Sequence, residues 1–124
     1  MRKLLLLAGA GAIGTLARYG LSGWVHQWLG VGFPYGTLVV NTAGCFTIGL
    51  LGTLAEQRVW FSSELRAVLF LGFLGAFTTF SSFSYETWQL VRDGQYGLAG
   101  GNVIGTMIAG FGALLLGVIA ARAL

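Results

Sequence analysis

Residues 67–85 read Ala67-Val68-Leu69-Phe70-Leu71-Gly72-Phe73-Leu74-Gly75-Ala76-Phe77-Thr78-Thr79-Phe80-Ser81-Ser82-Phe83-Ser84-Tyr85, a run without one charged side chain. A helix that crosses a bilayer needs about 20 mostly apolar residues, and this run has that length. Its second half is unusual for a span. Five hydroxyl residues and three phenylalanines fall within residues 77–84, directly after Gly72 and Gly75. Glycine and β-branched threonine weaken a helix, and Ser and Thr hydroxyls can bond backbone carbonyls instead. The composition predicts a membrane helix broken within its length. Broken backbone at that depth is tolerated only where it is buried in protein or lines a cavity or ion site.

Outward from this segment the same pattern recurs. Charge-free stretches separate Lys3 from Arg18, Arg18 from Glu56, and Asp93 from Arg122, and the long second one is interrupted at Gly30-Val31-Gly32-Phe33-Pro34-Tyr35-Gly36. The pattern predicts four spans at residues 4–25, 37–55, 65–90 and 96–121. Their backbones must satisfy themselves in hydrocarbon, so they should be helices. Residues 1–124 read as one four-helix transmembrane domain, an all-α integral membrane protein.

Composition excludes the other classes. Of 124 residues, 56% are apolar and 9% charged, against about a quarter charged in a soluble domain. High apolarity also argues against disorder. Cys45 is the sole cysteine, which rules out a disulfide scaffold and a Cys-built zinc site. The net charge of +3 is spread along the chain, so there is no basic patch for nucleic acid.

Arg2-Lys3 followed by Leu4-Leu5-Leu6-Leu7 has the look of a signal peptide, but the apolar pattern continues past Ala17. An uncleaved first helix fits better. With four spans, Arg2, Lys3, Arg58, Arg66 and Arg122 share one side, against Arg92 and Arg18. The positive-inside rule then favours cytoplasmic termini. Gly9-Ala10-Gly11-Ala12-Ile13-Gly14 fits the dinucleotide fingerprint, but the first acid after it is Glu56 and no βαβ unit follows. Small residues that let membrane helices approach closely explain it better. The same logic covers Gly44, Gly49 and Gly52, and the stripe Gly101, Gly105 and Ala109. Glycine-rich spans of this kind predict packing against a second copy.

Polar residues inside the spans narrow the function. Thr37 and Asn41 stand one helical turn apart on the second span, and Asn102 and Thr106 share a face with Gly110 on the fourth. An amide at membrane depth is costly and faces a bundle interior or a wet path. Interhelical hydrogen bonding is the bland alternative for each, but two such stripes favour a pathway. Phe80 and Phe83 are spaced by three and share a face. Aromatic rings are positive at the edge, so beside Asn41 and the serine hydroxyls the pair suits a dehydrating passage for a small anion.

These residues resemble those of the small fluoride-channel proteins called Fluc or CrcB, over essentially the whole chain. The resemblance rests on Gly36-Thr37-Leu38-Val39-Val40-Asn41, on the third-span stretch from Gly72 to Ser84, and on Gly14-Thr15-Leu16-Ala17-Arg18-Tyr19. It implies a passive channel that exports fluoride from the cytoplasm across the bacterial inner membrane and lowers its toxicity. It also implies a dual-topology homodimer of antiparallel protomers with two pores. Phe80 and Phe83 would supply ring edges to fluoride and Asn41 its side-chain amide. Ser81 and Ser84 match hydroxyl positions, and Thr106 a polar position of the fourth helix; Thr37 joins this path one turn from Asn41. Arg18 matches a vestibule arginine and Glu86 an acidic position after the motif. A structural sodium ion at the dimer centre would be held by the backbone carbonyls of Gly75 and Thr78. The chain departs from the family in two places. Its charge count favours one orientation, so insertion both ways comes from the resemblance alone, and Gly110 stands where some members carry a hydroxyl.

The remaining residues read blandly. Cys45 is expected to be a packing residue, and His26 a solvated side chain in the first interfacial loop. Glu56, Arg58, Glu64 and Arg66 are expected to face solvent, and Trp24, Trp28, Trp60 and Trp88 to form an aromatic belt. No nucleophile–base pair or metal cluster is visible, which argues against an enzyme. Two rivals stay open: a small four-helix proton-coupled exporter, which needs an acid deep in a span, and a non-conducting membrane subunit.

Overall fold

Each charge-free run becomes a helix in the computed structural model, which describes residues 1–124, and four segments are long and apolar enough to cross a membrane. α1 covers Arg2–Leu29 and α2 covers Tyr35–Gln57. Both outrun the apolar stretches, because backbone hydrogen bonding carries a helix through polar residues at the interface. Helix α1 ends where Gly30 takes φ +80°, a left-handed torsion that residues with a Cβ avoid. Pro34 stands at the N-cap of α2 with φ −77°, where its missing N–H deprives no partner.

The third span, Ser63–Arg92, is composite. α3, Ser63–Arg66, starts under a serine cap in which the Ser62 hydroxyl accepts from the Leu65 N–H at 3.1 Å. A π-helical stretch follows over Ala67–Leu74, and α4 is a single turn, Gly75–Phe77. Thr78 and Thr79 are extended, and α5 then runs over Phe80–Arg92. α6 completes the chain over Tyr96–Arg122.

Glycines set how closely these helices approach. A Cβ on Gly49 would lie 2.2 Å from the Leu114 carbonyl oxygen, and one on Gly117 would lie 2.2 Å from that of Phe46. The two glycines therefore let α2 and α6 touch backbone to backbone, twice, one on each helix. Between α1 and the π-helical stretch, Gly14 faces the Phe73 carbonyl and Gly72 faces Ala10. The dinucleotide-like glycines thus belong to α1, with Gly14 as a packing contact. Gly101 and Gly105 have open space around them within the chain. The α6 glycine that packs on α2 is instead Gly117.

The interior is small. Val40, Leu74 and Phe77 form the buried cluster, with Ala17, Leu21, Ala43, Phe70 and Phe73 packed on it. Only 18 of 124 residues are buried, and Ile104, Ile108, Phe111, Leu115 and Ile119 all lie exposed. Such a surface would drive aggregation in water, whereas in lipid it is at home. All four tryptophans are exposed as well.

One expectation for the connections needs correction. His26 lies inside α1 and is half-buried, and its Nε2 accepts the Gly36 N–H at 3.3 Å. It docks the end of α1 on the start of α2, because Gly36 is an early helical residue whose N–H has no intrahelical acceptor. In the second connection Glu56, Arg58 and Arg66 are exposed, as expected, and the two arginines also hold backbone carbonyls. Arg58 donates to the Leu124 carbonyl at 3.2 Å, and Arg66 donates to the Ala55 carbonyl. Glu64 lies 3.7 Å from Arg2.

Candidate functional site

The site is built around the two extended threonines. β-branching favours extended torsions, and Thr79 doubles as the N-cap of α5, its hydroxyl accepting from the Ser82 N–H at 3.1 Å. The Thr78 hydroxyl donates back to the Leu74 carbonyl at 2.8 Å. Asn41, from the middle of α2, completes the junction. Its Nδ2 donates to the Thr79 carbonyl at 3.0 Å, while its Oδ1 accepts the Thr79 N–H at 2.8 Å. The amide behaves as a neighbouring strand would. It satisfies both polar groups of a residue that no helix serves.

Two sets of groups at the junction are left over. The carbonyls of Gly75 and Thr78 accept no backbone hydrogen bond. They lie at the C-terminal end of one helical segment, the partially negative end. Asn41 has a second N–H that no protein acceptor takes. The Thr106 hydroxyl is buried without a partner.

A groove runs across the junction. Asn41, Phe80, Phe83 and Thr106 line it together with Gly75 and Thr78. Phe83 is buried and Phe80 is 74% exposed at the open side, with ring centroids 5.7 Å apart and planes inclined by 49°. Gly110 and Cys45 meet across the same groove. A Cβ added to Gly110 would lie 3.4 Å from the Cys45 sulfur.

A second cavity opens on the other side of α5. Arg18, Thr37 and Glu86 line it, with His26, Ser22 and Ser82. The Thr37 hydroxyl donates to Glu86 Oε1 at 2.8 Å, and Glu86 Oε2 is buried with no partner. Of the residues singled out from sequence, then, Asn41, Phe80, Phe83, Thr106, Gly75 and Thr78 gather at the groove, and Arg18, Thr37 and Glu86 at the cavity. Ser81 and Ser84 line neither and are exposed. Ser81 lies 3.3 Å from the Thr79 hydroxyl.

Thr79 and Ser82 carry weight that sequence reasoning did not assign them. They sat within the hydroxyl-rich stretch, but only a cap spacing of three would have separated them from Ser81 and Ser84.

What the arrangement can do follows from its chemistry. The groove offers neutral donors and two aromatic rings beside one another, with no lysine or arginine among its lining residues. Neutral donors can replace an anion's hydration without trapping it, as conduction requires. The carbonyls nearby that accept no backbone hydrogen bond suit a hard cation, in the way unwound backbone does in other membrane helices.

The family described as "CrcB-like protein, Camphor Resistance (CrcB)" matches residues 5–118. The chain is similar to the fluoride-specific ion channel FluC of Geobacter metallireducens, 45% identical over 122 residues that cover 98% of each protein. It is 49% identical to FluC of Desulforapulum autotrophicum over 97% of this chain and 96% of that one, and 45% identical to FluC of Geotalea uraniireducens over the full length of both. With four apolar helices and this match along nearly its whole length, the chain is a multi-pass membrane protein that belongs to the Fluc/CrcB family.

Proposed function

We propose that this protein is a passive, fluoride-selective channel that lets fluoride leave the cytoplasm across the inner membrane of a bacterium and so lowers its toxicity. The observation that carries the reading is the convergence of Asn41, Thr106, Phe80 and Phe83 on one groove that holds no fixed positive charge. The names of relatives nearly half identical over their whole length agree with it.

Fluoride is small and tightly hydrated, so a selective path must strip its water and return short donors. In this reading the spare Asn41 N–H and the Thr106 hydroxyl donate, and the ring edges of Phe80 and Phe83 take the place of water on the flanks. Arg18 and Glu86 belong to a vestibule, with Thr37 holding Glu86 in place. Ser81 and Ser84 would enter the path from the exposed face of α5.

The functional unit is proposed to be an antiparallel homodimer with two pores. The groove of a single chain measures about 410 Å³, many times the roughly 30 Å³ share of one water molecule. A second copy would narrow it and cover Phe80. The open space around Gly101 and Gly105 would accept the same partner. A structural sodium ion would fit at the junction, held by the Gly75 and Thr78 carbonyls, whose lack of backbone donors suits oxygen ligation. Bound there, it would fix the ends of the two half-helices electrostatically.

Phe80→Ile in protein reconstituted into liposomes tests the reading. Ring-edge conduction predicts loss of fluoride efflux from a normally folded protein. A membrane subunit whose Phe80 only packs would keep whatever flux it has.

A further inference from the structure

Three polar tethers hold α5, and their positions around its axis are specific. Asn41 grips the residue that caps it, Thr37 grips Glu86, and Asn102 of α6 donates from Nδ2 to the Thr87 hydroxyl at 2.9 Å. Asn102 is only 2% exposed, among the most completely buried side chains in the protein. The Thr87 hydroxyl passes the bond on, donating to the Phe83 carbonyl at 2.8 Å. Asn102 offers the only side-chain hydrogen bond between α6 and α5.

Successive helical residues are about 100° apart around the axis. Seen down α5, Glu86 therefore points about 60° to one side of Phe83 and Thr87 about 40° to the other. One tether goes to α2 and the other to α6, and Phe83 lies between them. A helix pinned from two directions cannot roll, whereas one pinned only at Glu86 and its cap can. Roll of α5 would swing the Phe83 ring about the helix axis and change how it meets the groove.

We propose that Asn102, acting through Thr87, is a positioning residue that fixes the rotation of α5 and hence the orientation of the Phe83 ring. The inference rests on the reading of Phe83 as a pathway residue. It gives a buried amide at membrane depth, otherwise a cost, a specific task distinct from lining the path. Asn102 is absent from both the groove and the vestibule cavity.

The test is fluoride and chloride efflux from liposomes carrying Thr87→Val, Thr87→Ser, Asn102→Leu and the Thr87→Val/Asn102→Leu double variant. Size-exclusion and thermal melting in detergent establish that each is folded. Thr87→Val and Asn102→Leu should each lower fluoride efflux roughly three- to tenfold, the range a hydrogen bond between membrane helices is worth. The fluoride-to-chloride ratio should fall with it, which loss of folded protein alone would not produce. Thr87→Ser should recover both, and the double variant should be no worse than either single.

Wild-type efflux and selectivity in folded Thr87→Val would overturn the proposal, as would losses that multiply in the double variant or failure of Thr87→Ser to rescue. If Asn102→Leu does not fold, Thr87→Val, close in shape to the native residue, decides alone. Phe83→Ile separates the two readings. If it conducts normally, the role of Phe83 fails and this proposal with it; if it is inactive while Thr87→Val is normal, only this proposal fails.

Discussion

Asn41 and Thr79 are joined by two hydrogen bonds of opposite sense, at 3.0 and 2.8 Å, so that one side-chain amide pairs both backbone groups of a residue between helices. The third span can interrupt its own hydrogen bonding because α2 supplies the replacement. Asn41→Ala leaves the Thr79 N–H and carbonyl without these partners, which costs about 1–3 kcal/mol for a buried polar group. Thermal unfolding in detergent should fall accordingly, and fluoride efflux should be lost with the junction. Asn41→Asp keeps the acceptor but sets a carboxylate oxygen against the Thr79 carbonyl, and should be no better. A melting temperature unchanged in both variants would mean that the junction stands without Asn41.

The cavity lined by Arg18, Thr37 and Glu86 makes a separate prediction. Thr37 provides the one hydrogen bond that Glu86 receives, and its other carboxylate oxygen is already buried without a partner. Thr37→Val preserves shape and removes that donor, so it should destabilise the protein by about 1–3 kcal/mol. Adding Glu86→Gln removes the charge that the lost bond had served. The double variant should therefore melt closer to wild type than Thr37→Val does, and additive losses would show that the two residues are not coupled.

Glycine substitutions should divide sharply by position. Gly49→Ala and Gly117→Ala each drive a Cβ to 2.2 Å from a backbone oxygen of the facing helix. Backbone cannot step aside as a side chain does, so α2 and α6 must separate, at about 1–3 kcal/mol each. Gly52 has no atom within 4 Å of its would-be Cβ, and Gly52→Ala should be neutral or slightly stabilising through helix propensity. Equal melting of the three variants would remove close helix contact as the reason for Gly49 and Gly117.

The four helices were legible because the bilayer imposes one dominant rule, a minimum length of uncharged apolar chain, and residues 67–85 and 96–121 obey it plainly. Helix ends were less so: α1 continues through His26 and Gln27 to Leu29 because hydrogen bonding, and not hydropathy, decides where it stops. Small residues announced close packing, yet only three-dimensional contact distinguishes Gly117, pressed on Phe46, from Gly101 and Gly105, where an added Cβ would meet no other part of the chain within 4 Å. The polar residues of the groove stood out as costly groups in apolar runs. Their bonds did not, since Asn41 and Thr79 lie 38 positions apart and no local pattern links them. His26 was misread for the same reason, its partner Gly36 belonging to the next helix.

The most direct measurement compares fluoride with chloride efflux from liposomes containing the purified wild-type protein, under the same gradient and without a pH difference. The account predicts rapid fluoride release, little chloride release and no dependence on protons. Folded, reconstituted protein that releases no fluoride, releases both anions alike or requires a pH gradient would contradict it.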